Sequence, residues 1–348
     1  MAEQSEKEKT KVEENRPLLT TLGMCILDDL YLPNGEIRCR VLGGSGVYSI
    51  LGARLFLLDE DARRASWLIR AGDAFPQEIE ERLQSWNTDL IIEKSQGCGV
   101  ESKTYNYITG PYRIEPQHLI RYPQLLHSRT YHLLTSPLDT VAQVPELLHI
   151  RHQAGIHDVP LIVWEPLPPS CKPSELVNCM DAIGLVDIFS PNHIELAHFF
   201  GLNIDALPFS RSVIEDLGNT FLKRGIGNDG KGTIIIRCGL EGCCVWYCRQ
   251  SKWVWIEPYW VGQEGEKKVI DATGAGNAFL GGFVVGWEKS GEDGRVGVPV
   301  LEKGGEERME DRKEMWNGVD VRKRLDGYWK SLISKGVVEE DFGSYVWK

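Results

Sequence analysis

One stretch limits the choice of fold more than any other: Val269-Ile-Asp-Ala-Thr-Gly-Ala-Gly-Asn-Ala-Phe-Leu-Gly-Gly282. Val269 and Ile270 read as the end of a strand, and residues 278–287 read as a helix. Between them, Gly274, Ala275 and Gly276 are small enough for the backbone to come close to a ligand. The unpaired N–H groups at a helix start carry the positive end of the helix dipole and attract phosphate oxygens. A tight turn that only packs a helix against a strand accounts for the same glycines. The segment alone leaves both readings open.

Elsewhere, residues 65–70, 89–93, 127–135, 160–164, 186–190 and 232–237 read as strands, and 76–86, 141–150 and 194–200 as helices. With 348 residues, this suits one large α/β domain, or one domain with a small appendage, and allows a sizeable core. Leu22-Gly-Met-Cys-Ile-Leu27 reads as an opening strand that ends on Asp28 and Asp29. Carboxylates at the end of a parallel strand lie where α/β folds bind ligands. Residues 37–41 read as a lid strand running into Gly43, Gly44 and a further helix. The turn from Gly239 to Gly242 separates strands 232–237 and 243–247, as in a β-hairpin. The aromatic stretch 253–260 reads as a rim strand, and Tyr105 and Tyr107 as one face of a half-buried strand within 98–108. Residues 288–311 are charged, Gly-rich and without helical period, which reads as an exposed linker, and 316–334 regain helical character.

The net charge of -11 argues against a general nucleic-acid surface or an anionic-membrane surface. No apolar stretch approaches transmembrane length. Residues 1–16 are polar, without the apolar core of a secretory signal, and read as a disordered tail. The nine cysteines are an odd number, which favours a reduced, cytoplasmic protein. Cys243, Cys244 and Cys248 lie close together, but on a strand they point to both faces and no His is near, so they read as core residues and not as a zinc site. His127 and His132 lack an accompanying nucleophile motif and read as core or surface histidines. Glu165 stands at a strand end, but Pro166 and the Pro-rich loop after it supply a structural reason for the sharp exit.

Asp271-Ala-Thr-Gly-Ala-Gly-Asn277 resembles the C-terminal signature of the PfkB/ribokinase family of sugar and nucleoside kinases, Asp-Thr-x-Gly-Ala-Gly-Asp. The resemblance implies a ribokinase-like three-layer α/β fold, with a central mostly parallel sheet, helices on both faces and a small β lid. It also implies ATP and magnesium as cofactors. On this resemblance Gly274, Ala275 and Gly276 form the anion hole, and Asp271 and Thr273 lie beside the nucleotide with Gly239 and Gly242. Asp28, Gly43 and Gly44 hold substrate hydroxyls, and Tyr48 takes the slot of the family's sugar-binding Asn. A phenol cannot copy the paired donor and acceptor of an amide. Asn192-x-x-Glu195 matches the motif that organises magnesium through water, and it is also an ordinary helix-capping arrangement. Asn277 stands where the family carries its catalytic Asp. An amide orients a hydroxyl but does not take its proton.

Leu22-Gly-Met-Cys-Ile-Leu-Asp-Asp29, Leu51-Gly-Ala-Arg-Leu-Phe56 and Trp164-Glu-Pro166 resemble the fungal "maintenance of killer" PfkB-like subgroup, which is linked to the stability of double-stranded RNA virus particles in yeast. The expected layout is a tail over 1–16, a kinase-like domain over 17–287 with lid segments near 30–42 and 98–112, a linker over 288–315 and a helical segment over 316–348. The family's Ala-rich helix that covers adenine has no counterpart after Trp287. The expected function is binding of nucleotide and a small hydroxylated ligand, with weak or no phosphotransfer. The alternatives are an active sugar or nucleoside kinase whose base is relocated to Asp28 or Asp29, and a non-enzymatic interaction protein. A protein partner and a homodimer both stay open.

Overall fold

The computed structural model describes residues 16–31, 35–57, 59–72, 75–94, 113–204, 207–247, 251–260, 262 and 272–289, together with 315, 316, 319, 320, 327, 330 and 334. The chain runs β1 (Leu19–Thr21), β2 (Ile26–Tyr31), β3 (Ile37–Gly43), α1 (Ser45–Arg54), β4 (Ala65–Ala71), α2 (Gln77–Gln84), β5 (Asp89–Lys94) and β6 (Thr130–Thr135). It continues through α3 (Pro137–Gln153), β7 (Leu161–Pro166), α4 (Leu176–Ala182), β8 (Ile188–Phe189), α5 (His193–His198) and α6 (Arg211–Arg224). The hairpin β9 (Thr233–Arg237) and β10 (Cys243–Tyr247), then β11 (Lys252–Ile256) and α7 (Ala275–Lys289), follow.

Nine strands form one sheet in the order β11-β10-β9-β8-β7-β6-β1-β4-β5. Pairing is parallel from β5 to β9, and antiparallel for β9 with β10 and β10 with β11. Alternate side chains enter opposite faces, because the strand period is two. Ile162, Trp164, Ile234 and Ile236 pack with Val144 and Leu147 of α3, Cys179 of α4 and Phe221 of α6. Val163 and Ile235 enter the other core, with Val47 and Ile50 of α1, Leu83 of α2 and Phe283 of α7. The sheet is thus a middle layer, buried on both sides. β1 lies between β4 and β6, so the strand order reverses there. A crevice opens at such a reversal, beyond the carboxyl ends of the strands.

The packing of α1 against α7 sets the geometry of that crevice. A Cβ on Gly52 would sit 1.8 Å from the Ala278 carbonyl oxygen, and one on Gly281 would sit 1.9 Å from the Ser49 carbonyl oxygen. The two backbones therefore touch with no side chain between them. Gly44 has φ 101°, and a Cβ there would lie 2.3 Å from the Met24 carbonyl oxygen. Both glycine-rich turns are held in place by contacts that only glycine permits.

The opening apolar run divides instead of forming one strand. The sheet receives Leu19–Thr21, and Ile26–Tyr31 pairs antiparallel with β3 in a separate two-stranded lid. The break falls at Gly23, whose Cβ position lies 2.5 Å from the Gly46 backbone nitrogen. Apolar content alone does not say which sheet a run joins. Arg16 belongs to the fold and not to a tail: its Nε donates to the His127 carbonyl at 2.6 Å, and its guanidinium pairs with Asp158. Trp316 lies in a short strand, Met315–Trp316, paired antiparallel with Val319–Asp320, where helix was expected. α4 and α6 had no counterpart in the sequence reading. Residues 98–112, Val269 and Ile270 lie outside the described residues. Among the described residues, no helix is long and apolar enough to cross a membrane.

Gly281→Ala is expected to destabilise the protein by about 1–3 kcal/mol despite its better helix propensity, because the added methyl meets backbone that cannot rotate away. Gly184→Ala, with nothing within 4 Å, serves as the control. Urea unfolding of the two variants checks this; equal midpoints would contradict the contact.

Candidate functional site

The carboxyl ends of β7 and β9 and the amino ends of α5 and α7 converge on one side chain, Arg237. It is the last residue of β9, and its backbone N–H donates to the Pro191 carbonyl at 3.1 Å, which aligns it with the start of α5. Its guanidinium Nη1 lies 2.7 Å from Glu165 Oε1. Nη2 donates to the Ser190 carbonyl at 3.0 Å and lies 3.5 Å from Glu195 Oε2. Nε is buried and has no hydrogen-bond partner. A Cβ on Gly276 would sit 1.8 Å from Nη1. The guanidinium therefore presses directly on the small-residue turn that opens α7.

Glu165 is the hub of this group and is only 5% exposed. Its Oε2 accepts a hydrogen bond from Asn277 Nδ2 and lies 3.5 Å from His132 Nε2. His132 is a core residue whose Nδ1 shares a 3.0 Å hydrogen bond with Thr21 Oγ1. Burial pushes the Glu165 carboxyl upward, but Arg237, His132 and Asn277 together outweigh it and hold the group below its usual range. Asn277 suits this place for a physical reason. An Asp there would set two carboxylates against each other, and one would have to keep its proton or lose its hydrogen bond. The amide instead offers a donor to a fixed anion.

Asn192 and Glu195 form a reciprocal capping box on α5. Asn192 Oδ1 accepts from the Glu195 backbone N–H at 2.8 Å, and Glu195 Oε2 accepts from the Asn192 backbone N–H at 2.7 Å. Burial raises the Glu195 carboxyl from 4.5 to about 7, against the pull of Arg237 and the Asn192 N–H. Family kinases use ATP with magnesium, and these are the residues that the resemblance assigns to the metal. Asn192 Oδ1 and Glu195 Oε2 each accept the other residue's backbone N–H, and a fixed cation stands 3.5 Å from Glu195 Oε2. A hard dication needs oxygen ligands and keeps its own waters. The donor set does not fit a second cation beside Arg237. Among the described residues, no three His, Cys, Asp or Glu side chains group as a metal site.

Tyr48 joins the two glycine turns. A Cβ on Gly274 would sit 2.1 Å from a Tyr48 ring carbon, so the ring lies against that turn. A Cβ on Gly43 would lie 3.3 Å from Asp28 Oδ2 and 3.9 Å from Tyr48 Oη. Asp28 is exposed on the lid strand β2, and burial and then Asp29 push its carboxyl upward. Asp29 accepts the Arg40 backbone N–H at 2.8 Å and serves the lid hairpin. Asp28, Gly43, Tyr48 and Gly274 thus form one contact series, and Gly276, Asn277, Glu165, Arg237, Glu195 and Asn192 another, joined by the turn 274–277. Gly44 sits at the start of α1, against Met24. Ala275 begins α7, and its N–H donates to the Ala272 carbonyl at 3.1 Å. Thr273 is exposed in the same turn. Gly239 is exposed two residues beyond Arg237, and Gly242 packs on the Ile256 carbonyl, which serves the pairing of β10 with β11. Asp271 lies outside the described residues. Sequence reasoning did not find Arg237, although a charged residue closing the apolar run Thr233-Ile-Ile-Ile236 is the same kind of signal that singled out Asp28.

The sequence profile described as pfkB family carbohydrate kinase matches residues 106–296, more than half of the chain. An uncharacterized protein of Schizosaccharomyces pombe is 27% identical, over 90% of this chain and 93% of its own length. The Saccharomyces cerevisiae protein MAK32 is 26% identical, with the same two coverages of 90% and 93%. Among solved structures, ribokinase from Giardia lamblia superposes with a TM-score of 0.57 at 15% identity, covering 95% of each chain, a likeness of fold.

Two outcomes follow from the geometry. Asn277→Asp is expected to lower stability by about 1–3 kcal/mol at about pH 8, and adding Glu165→Gln is expected to recover much of the loss. A variant as stable as the wild type would contradict the contact with Glu165. The second concerns Glu195, whose folded pKa of about 7 lies above its unfolded value. Its contribution to stability is full below about pH 4.5 and is lost as the pH rises through about 7, roughly 3 kcal/mol in all. The stability of the wild type relative to Glu195→Gln, followed by denaturant titration in EDTA, is expected to fall across that window. A flat difference would contradict the burial of this carboxyl.

Proposed function

Because the chain belongs to the pfkB family of carbohydrate kinases, we propose that it binds a nucleotide and a small hydroxylated molecule in the crevice beyond the carboxyl ends of the strands, and transfers phosphate slowly or not at all. The nucleotide's phosphates lie at the turn 274–277, at the amino end of α7, where the helix dipole is positive and first-turn N–H groups lack partners within the helix. The hydroxylated ligand lies toward Asp28, Gly43, Gly44 and Tyr48, under the lid. The observation that carries the reading is Asn277: it stands at the position of the family's base, and its amide donates to Glu165.

Phosphoryl transfer relies on positioning and on stabilising charge, and also needs an acceptor for the hydroxyl proton. Asn277 orients a hydroxyl through its Oδ1 and has no useful basicity. Loss of a general base typically lowers the rate by about 10²–10⁴-fold. A working kinase with a relocated base draws support from one observation, the Glu165 carboxylate in contact with Asn277. Against it, that carboxylate is only 5% exposed and is paired by Arg237. A reduced, cytoplasmic ligand sensor or interaction protein is the role that suits the main reading.

ATP turnover with a panel of sugars and nucleosides, together with the melting shift in ATP, tests the proposal. The expected result is a clear shift with little turnover. Robust turnover would overturn the weak-transfer reading, and no shift with any nucleotide would leave a non-enzymatic interaction protein.

A further inference from the structure

We propose that Arg237 takes the place of the metal ion: its guanidinium is the fixed cation for the phosphates, and a nucleoside triphosphate binds here without a divalent ion. This rests on the nucleotide reading above and goes beyond it in naming what neutralises the phosphates.

Three observations carry it. The guanidinium lies against Gly276, at the turn where the phosphates would arrive, because there is no side chain at 276 to hold it off. It stays in position without a ligand, since Glu165 Oε1 at 2.7 Å and the Ser190 carbonyl at 3.0 Å hold its two terminal nitrogens. Its donor capacity is not used up. A guanidinium has five N–H donors, yet Nε has no partner, and the approach to Glu195 is a loose 3.5 Å.

The groups around Arg237 come from several packed elements: Glu165 from β7, His132 behind it from β6, Glu195 from α5 and Asn277 from α7, with the thiols of Cys171 and of Cys243 on β10 also within reach of its charge. Two carboxylates surround one guanidinium, so a phosphate enters by exchange. The guanidinium gives up the long contact to Glu195, keeps the short one to Glu165 and turns its freed N–H toward a phosphate oxygen. A hydrogen bond from a guanidinium to a phosphate oxygen is charge-assisted, and the group stays charged at any working pH. The capping box keeps Glu195 satisfied through the Asn192 N–H when Arg237 leaves it.

Calorimetry of ATP binding to the full chain, in EDTA and in magnesium chloride, tests the inference. The expected Kd values agree within about threefold, and Arg237→Met combined with Glu165→Gln weakens binding in EDTA by about 10–100-fold. The paired substitution removes the cation together with its nearer buried anion, which leaves Glu195 as the one carboxyl of the group without its cation. If that variant does not fold, the wild-type comparison decides alone. Binding that needs magnesium would overturn the inference while leaving the nucleotide reading intact, and so would unweakened binding by the paired variant. No binding in either condition would sink the nucleotide reading itself, and this inference with it.

Discussion

A cation buried between two carboxylates is the constraint around which this site is arranged. Arg237 is 13% exposed at its side chain, and Glu165 and Glu195 are 7% each. Moving such charges out of water is unfavourable unless each finds its partner in good geometry. Glu165 meets the condition with Arg237 on one oxygen and Asn277 on the other. Glu195 meets it less well and is raised to about 7 by burial. Once the pair Arg237–Glu165 is fixed, the residue at 277 is no longer a free choice. A carboxylate there would compete with Glu165 for one guanidinium, and an amide complements it. The amide at 277 and the buried pair are two parts of one arrangement.

That arrangement depends on the backbone contact between α1 and α7. With glycine at 52 and 281, the amino end of α7 comes down onto Tyr48 on one side and Arg237 on the other. The turn 274–277 is therefore clamped between an aromatic ring and a guanidinium. The same parts that would receive phosphate are held in place without it. The sheet supplies the other half of the geometry, because β7 and β9 are both parallel neighbours of β8, and their register puts Trp164 level with Ile234, so that Glu165 and Arg237 stand two positions apart on the same face near the carboxyl edge.

Much of this was legible in the chain. The strand-turn-strand around Gly239 and Gly242, the helix after Gly274 and the α/β order follow from apolar periodicity and glycine placement. The run 22–27 was not, since its residues suit either the central sheet or the lid, and the close approach of Gly23 to Gly46 decides between them. The departure at Asn277 was visible as one letter, but its meaning was not. Its partner lies 112 residues away in sequence. Glu165 was noticed and then ascribed to the exit at Pro166. Arg237 passed unremarked because a basic residue at a strand end looks like a solvent-facing one. Buried ion pairs between distant elements leave no local pattern, and only the three-dimensional arrangement reveals them.

The central claim is that an arginine, not a metal, meets the phosphates at this turn. A crystal structure with a non-hydrolysable ATP analogue and Mn²⁺, read in an anomalous difference map, tests it most directly. The account predicts a phosphate oxygen within hydrogen-bonding distance of the Arg237 guanidinium, Glu165 still paired with it and Asn277, and no manganese peak near Glu195. A manganese ion held through water at Glu195, with Arg237 turned away from the phosphates, would contradict it.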